Sequence, residues 1–182
     1  MAITYHDLYL KTRMALSSAG IEAAQLEARE ILCAAAEKTA EELYRDISLY
    51  TTDAIAEKTE ALQARRLAGE PIAYLLGEWS FCGLPFFVSP AALIPRVDTE
   101  MLAQLAMNRL KEHPGHTRIL DLCAGTGCVG LTAAALLKNT RAVLVDLSDG
   151  ALDLCKRNIR RHKLTGRAVS LKGDALQAPS HA

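Results

Sequence analysis

Apolar residues recur at helical spacing through the first 77 residues and then give way to short extended runs, and this change of period divides the chain. Thr4 and Asp7 predict a capped helix carrying Leu8, Met14 and Leu16 and stopped at Gly20. A second helix is expected from about Glu22 to Ala36, with Leu26, Ile31 and Leu32 as its apolar stripe. Thr39 with Glu42 caps a third that carries Leu43 and Tyr44. Thr52 or Asp53 opens a fourth, in which Ile55, Leu62 and Leu67 recur until Gly69, and Pro71 opens a fifth that ends at Gly77. Short helices in this order make a small all-α bundle.

At Glu78 the pattern changes. Trp79 and Phe81, then Gly83-Leu84-Pro85, then Phe86, Phe87 and Val88 predict two aromatic-rich strands about a turn, bounded by Ser89-Pro90. The run Leu93-Ile94-Pro95-Arg96-Val97-Asp98-Thr99-Glu100 leads into a helix to about Lys111. Asp98 or Thr99 is its expected cap, and Met101, Leu102, Leu105 and Leu110 are its expected buried positions. His113, Pro114 and Gly115 break it. Arg118 to Leu122 reads as a short buried strand, after which Ala124, Gly125 and Gly127 turn the backbone into an apolar helix with Val129, Leu131, Leu136 and Leu137. Ala142 to Val145 makes a second strand ending at Asp146, and Ser148 caps a helix with Leu152, Leu154 and Ile159. Ala168 to Lys172 makes a third strand, followed by Gly173-Asp174-Ala175. Strands alternating with helices imply a parallel sheet whose ligand lies at the carboxyl ends of the strands. Asp121, Asp146 and Asp174 stand at or just after those ends.

The turn after the first of these strands is the candidate ligand site. Glycine permits positive φ and close backbone approach, and the free N–H groups of a helix start favour electron-rich ligand atoms. Gly125-Thr126-Gly127-Cys128-Val129-Gly130 matches the dinucleotide pattern G-x-G-x-x-G, and Asp146 follows at the distance of a ribose-binding acid. Asp121 points elsewhere. A carboxylate at the strand end would meet a pyrophosphate with like charge, whereas S-adenosylmethionine (SAM) brings an ammonium and a sulfonium that it attracts. The residues favour SAM over NAD on that ground. The plainer alternative is that Asp121 only caps the turn.

Composition narrows the setting. Half of the 182 residues are hydrophobic, enough for the core of one full domain or two small ones. Lys plus Arg and Asp plus Glu both number 21, so no global basic field points to direct nucleic-acid binding. The five cysteines, at 33, 82, 123, 128 and 155, form neither an even-numbered disulfide framework nor a zinc spacing. Cys123 and Cys128 read as small packing residues around the turn, and no metal is expected. The N-terminus has no signal-peptide core and no run approaches a membrane span, so a cytoplasmic protein without a membrane partner is expected. Arg29, Arg65 and Arg66 read as a solvated helix face or as contacts to an acidic partner.

Several runs, in order, carry a resemblance. Pro71-Ile72-Ala73-Tyr74-Leu75-Leu76-Gly77, the hairpin with Leu84-Pro85 and Val88-Ser89-Pro90, and Ile94-Pro95-Arg96 with Asp98-Thr99-Glu100 are the first of them. Together with Ile119-Leu120-Asp121-Leu122 and Gly125-Thr126-Gly127 they closely resemble the HemK/PrmC protein methyltransferases. The resemblance implies SAM-dependent methylation of a glutamine side-chain amide in peptide-chain release factors. It implies an α/β Rossmann-like methyltransferase fold with an incomplete parallel sheet, preceded by the helical bundle and the β-hairpin. Residues 1–77 would dock the release factor, 78–95 would form a hairpin linker, and 96–182 would be the N-terminal half of the methyltransferase domain. Cys123, Ala124, Gly125, Thr126 and Gly127 would wrap the methionine part of SAM beside Asp121. Asp146 would take the ribose hydroxyls, and Asp174 with Ala175 would lie against the adenine. Val97 stands where the family usually has Pro, Cys123 and Ala124 stand in a glycine-rich turn, and Ala175 takes an often aromatic position, which weakens adenine stacking.

The family carries Asn-Pro-Pro-Tyr after its fourth strand, and this sequence contains no such run. Leu176 to Ala182 reads as a frayed tail. A glutamine amide nitrogen is a poor nucleophile because its lone pair is delocalised, so it must be oriented in line with the departing sulfur. In the family an Asn side chain and a Pro carbonyl hold the amide hydrogens. The expectation is therefore a truncated fragment with a donor half-site and no catalytic residues of its own, inactive alone. Its first strand would keep an unpaired edge and its helices uncovered apolar faces, making it aggregation-prone unless another chain covers them. The alternatives are a non-catalytic docking or SAM-binding module, an NAD-dependent oxidoreductase, and a nucleic-acid amine methyltransferase.

Overall fold

A computed structural model describes residues 3–113 and 115–177. Pro114, expected to help break a helix, and the tail beyond Gln177 lie outside the described residues. The chain divides into two units, Met1–Leu76 and Gly77–Ala182.

In the first unit, helices start where the sequence supplies a hydroxyl. α1 (Tyr5–Ser18) begins where Thr4 Oγ1 accepts the N–H of Asp7 at 3.1 Å. α2 (Ala24–Ala36) has no capping side chain and starts two residues later than the sequence suggests. α3 (Ala40–Arg45) has the full reciprocal box: Thr39 Oγ1 accepts the Glu42 N–H at 3.2 Å, and the Glu42 carboxylate accepts the Thr39 N–H at 2.8 Å. α4 (Asp53–Leu67) is capped by Thr52, and α5 (Ile72–Leu76) follows Pro71. Tyr5, Leu8, Leu32 and Leu43 bury together, as do Leu16, Ala24, Ala28 and Ile31. Met14 and Leu26, expected on apolar stripes, are largely exposed, because α1 and α2 each bury only a narrow face.

Arg29, Arg65 and Arg66 each have an acidic partner within this unit. Arg29 pairs with Glu30 and Arg65 with Glu70, while Arg66 grips Glu27 through Nε at 2.6 Å and Nη2 at 3.2 Å. Glu27 is 8% exposed, so this last pair is a cross-brace between α2 and α4. Arg66→Ala strands a buried carboxylate, and we expect it to cost about 3 kcal/mol of this unit's stability in urea unfolding followed by circular dichroism. Replacing both partners, as Glu27→Leu with Arg66→Met, should recover most of that loss.

In the second unit, β1 (Glu78–Phe81) pairs antiparallel with β2 (Leu84–Phe87), Trp79 opposite Phe86. Phe81 and Phe86 are buried and meet edge to face at 6.0 Å. α6 (Val97–Lys111) starts at Arg96 with no side-chain cap, so neither Asp98 nor Thr99 does the expected work. Its packed face also differs from the expected one. Ala103 and Met107 are buried, while Met101, Leu102 and Leu105 are 67%, 57% and 65% exposed. Ala103 and Met107 fall on the face that packs, and the more apolar stripe faces open.

β3 (Thr117–Leu122), β4 (Thr140–Asp146) and β5 (Ala168–Lys172) form a parallel sheet in that order. α7 (Cys128–Leu136) connects β3 to β4 and α8 (Asp149–Arg161) connects β4 to β5. Leu131, Cys155 and Ile159 of these helices pack on Ala142 and Leu144 of the sheet. The opposite face carries Leu120, Val143 and Val169 in one row and Leu122, Val145 and Leu171 in the next. Leu120 and Leu122 are 60% and 49% exposed and the alternate residues only partly buried, in contrast to the short buried strand expected. Both crossover helices cover the same face, which leaves the other open among the described residues. The result is the expected class: an α/β Rossmann-like unit with a short parallel sheet, preceded by a helical bundle and a β-hairpin. No helix among the described residues is long and apolar enough to cross a membrane.

Candidate functional site

The site forms where β3 ends and α7 begins. Cys123, Gly125 and Gly127 all have positive φ, at 57°, 56° and 77°, and this alternation folds the five residues 123–127 into a tight turn. The turn is stitched to β4: Ala124 N–H donates to the Val145 carbonyl at 3.0 Å, and Gly125 N–H donates to Asp146 Oδ2 at 2.8 Å. The second Asp146 oxygen accepts from Ser148 N–H at 2.9 Å. Asp146 thus braces the turn and the start of α8 at once, and each of its oxygens keeps a further lone pair.

Asp121 sits beneath the turn. Its Oδ2 accepts the N–H of Gly130 at 2.9 Å, which makes it a cap supplied from the strand to the first turn of α7. Burial, only partly offset by the Gly130 hydrogen bond and reinforced by the Asp146 charge, raises its pKa from 3.8 to about 6. Its Oδ1 has no hydrogen-bond partner among the described residues. That oxygen is not sealed from solvent and is open to a ligand's donor or cationic group. Asp174 stands two residues past β5 on the same rim, where its carboxylate accepts the N–H of Leu176 at 2.9 Å, and Ala175 beside it is exposed. The structure therefore joins Asp146 to the turn and Asp121 to the first turn of α7 by hydrogen bonds, while Asp174 and Ala175 stand past the end of β5.

The two interior thiols line the underside. Burial pushes Cys128 up to about 11 and Cys155 up to about 12, so both stay protonated, and Cys155 Sγ donates to the Gly125 carbonyl at 3.3 Å. Cys123 departs from the expected packing role, being exposed. It holds a left-handed conformation that disfavours a side chain, so Cys123→Gly should stabilise the chain by about 1 kcal/mol in chemical denaturation.

Asn158 was not legible as a site residue. It is 0% exposed, and it hydrogen-bonds both backbone groups of Phe87 and the carbonyl of Thr126. The available signal was an amide on the apolar stripe Leu154-Cys155-Ile159, where a buried polar group needs partners. Within the first unit, a separate groove of about 660 Å³ is lined by His6, Tyr9, Leu26, Arg29, Leu43 and Tyr44 among others. Among the described residues no cluster of His, Cys, Asp and Glu could hold a metal.

Comparison with known proteins agrees with this division. A family described as PrmC N-terminal domain matches residues 7–77, and one described as methyltransferase small domain matches residues 96–181. A release factor glutamine methyltransferase of Nitratidesulfovibrio vulgaris is 35% identical over 176 residues, which is 94% of this chain and 57% of that protein. The protein of the same name from Geobacter sulfurreducens is 36% identical over 168 residues, 92% of this chain and 57% of its own length. The Escherichia coli one is 47% identical over 107 residues, 59% of this chain and 38% of its own. The chain thus spans about 57% of the length of the first two relatives. Two family matches in the same order as the two units, with relatives of one name across both, lead to one conclusion: this chain joins a PrmC-type N-terminal domain to a methyltransferase small domain.

Proposed function

We propose that the chain carries the methyl-donor and docking portions of a peptide-chain release factor glutamine N5-methyltransferase. The unused oxygen of half-buried Asp121, beneath a glycine turn at a helix start, is the observation that supports SAM as cofactor most directly. A cation satisfies that oxygen, and a pyrophosphate opposes it. In this reading Asp121 attracts the cationic methionine part, around which Cys123, Ala124, Gly125, Thr126 and Gly127 wrap. Asp146 takes the ribose hydroxyls with its remaining lone pairs, and Asp174 and Ala175 border the adenine. When bound, SAM supplies an electrophilic methyl group on sulfur. The chain's own residues hold and orient that donor and screen it from water, and no residue of this sequence is assigned to the acceptor amide.

The sequence has no Asn-Pro-Pro-Tyr, so the hydrogens of a glutamine amide have no assigned partner in this chain. We therefore expect the 182-residue chain to bind SAM and not to methylate a release factor by itself. Release-factor docking falls to the helical unit, whose groove at Leu26 and Tyr44 offers exposed apolar surface, 51% and 82% respectively. Calorimetric titration with SAM, S-adenosylhomocysteine and NAD, a separate titration with release factor, and transfer of labelled methyl to release factor test all three points, and a release factor that does not bind would overturn the docking role. NAD binding more tightly than SAM would overturn the cofactor, and methyl transfer by this chain alone would overturn the assignment of its chemistry.

A further inference from the structure

Asn158 lies on the buried face of α8, and every hydrogen-bonding atom of its side chain is used. Its Oδ1 accepts the Phe87 N–H at 2.8 Å, and its Nδ2 donates to the Phe87 carbonyl at 3.1 Å and to the Thr126 carbonyl at 2.9 Å. The orientation of the amide follows from these partners. Reversed, it would set two N–H groups against the Phe87 N–H and an oxygen against two carbonyls. One side chain therefore pairs like a strand neighbour with the last residue of β2 and holds the middle carbonyl of the glycine turn.

The same hairpin residue is gripped from outside. The guanidinium groups of Arg157 and Arg161 lie 4.6 Å and 4.4 Å from the centre of the Phe87 ring, and Arg161 also pairs with Glu78 on β1 at 2.6 Å. Immediately past the hairpin, the chain runs against the glycine turn and the first turn of α8. A Cβ on Gly125 would stand 3.7 Å from Ala92 Cβ, and a Cβ on Gly150 would stand 2.9 Å from Ala91 Cβ. Ala91 and Ala92 follow the fastened Phe87 by four and five residues.

We propose that Asn158 is the positioning residue of the methyl-donor site, locking the hairpin to the glycine turn so that residues 89–92 form one wall and ligand in the turn is felt at the hairpin. This rests on the reading of that turn as the SAM site. It gives the hairpin a reason to sit where it does: its fastening point and the turn share one amide. An interaction through two shared partners is coupled in both directions, so whatever orders the turn orders β2.

The test uses the 182-residue chain and SAM. Amide exchange across residues 84–92 should slow several-fold on adding SAM to the native chain, and the emission of Trp79, the sole tryptophan, should change with it. In Asn158→Ala we expect SAM affinity to fall about tenfold and both responses to disappear. Leu152→Ala on the same helix removes core packing without touching the clamp, and it should lower the melting temperature while keeping both responses. If Asn158→Ala does not fold, Asn158→Ser serves, since a single hydroxyl cannot replace the acceptor and both donors of the amide and brings no buried charge. Unchanged affinity and unchanged protection in the Asn158 variant would overturn the clamp alone. A native chain that does not bind SAM would overturn the clamp together with the function it rests on.

Discussion

Gly127→Ala should cost about 2–5 kcal/mol of stability and abolish SAM binding. Two effects add at this position. Gly127 has φ 77°, where an added Cβ is strained by about 1–2 kcal/mol. The new carbon would also stand 2.9 Å from Leu144 Cδ1, 3.1 Å from Leu131 Cδ1 and 3.3 Å from Cys155 Sγ. Both leucines are 0% exposed, so neither can swing away into solvent, and overpacking of such a site adds about 1–3 kcal/mol. Gly125→Ala is the internal control. Its φ is 56°, but its Cβ would meet only Ala92 at 3.7 Å, an ordinary contact, so only the backbone term remains. Urea unfolding of the two variants separates strain from packing, and equal losses would show that packing beneath Gly127 contributes nothing.

Asp121→Asn should do the reverse for stability and the same for binding. Folding raises the Asp121 pKa from 3.8 to about 6, chiefly through burial, so the native state holds its proton more tightly than the unfolded chain does. The sign follows directly. Below the unfolded value both states are protonated and there is no penalty. As pH rises from about 4 to about 6 the native state loses stability, and above that the full cost of about 3 kcal/mol persists. An asparagine keeps an acceptor for the Gly130 N–H without the buried charge. The variant should therefore be more stable than the native chain at pH 8, by up to that amount, with a flatter stability profile between pH 4 and 6. Its affinity for SAM should fall about tenfold or more, because a hydrogen bond to a charged group is lost. In the native chain, affinity should rise with pH as Asp121 ionises. A variant that is less stable at pH 8 and binds SAM undiminished would remove Asp121 from the site.

These two predictions share a cause. The turn holds features that cost stability: a non-glycine residue, Cys123, at positive φ, a Gly127 with no room for a Cβ, and a half-buried acid with one oxygen unused. Such features persist where the surrounding structure over-determines them, and they concentrate where a ligand repays them. The open row of Leu120, Val143 and Val169 belongs to a different class. It arises because α7 and α8 both pack on one face of the sheet, and it concerns solubility more than chemistry.

The sequence by itself determined the local elements and the chemistry they carry. Thr39 with Glu42, Thr52 and Ser148 start helices because a hydroxyl or carboxylate meets an orphan N–H within three residues, a relation internal to the chain. The strand-turn-helix at 118–130 and the acids at 121, 146 and 174 were legible for the same reason. Only the tertiary structure decided what lies across from each face. Periodicity marked Met101, Leu102 and Leu105 as an apolar stripe, yet α6 packs through Ala103 and Met107. Arg66 found Glu27 thirty-nine residues away, and Asn158 found Phe87 seventy-one residues away. A side chain's polarity is written in its own letter, but its partner is chosen by the path of the backbone, and contacts that distant leave no local pattern to read.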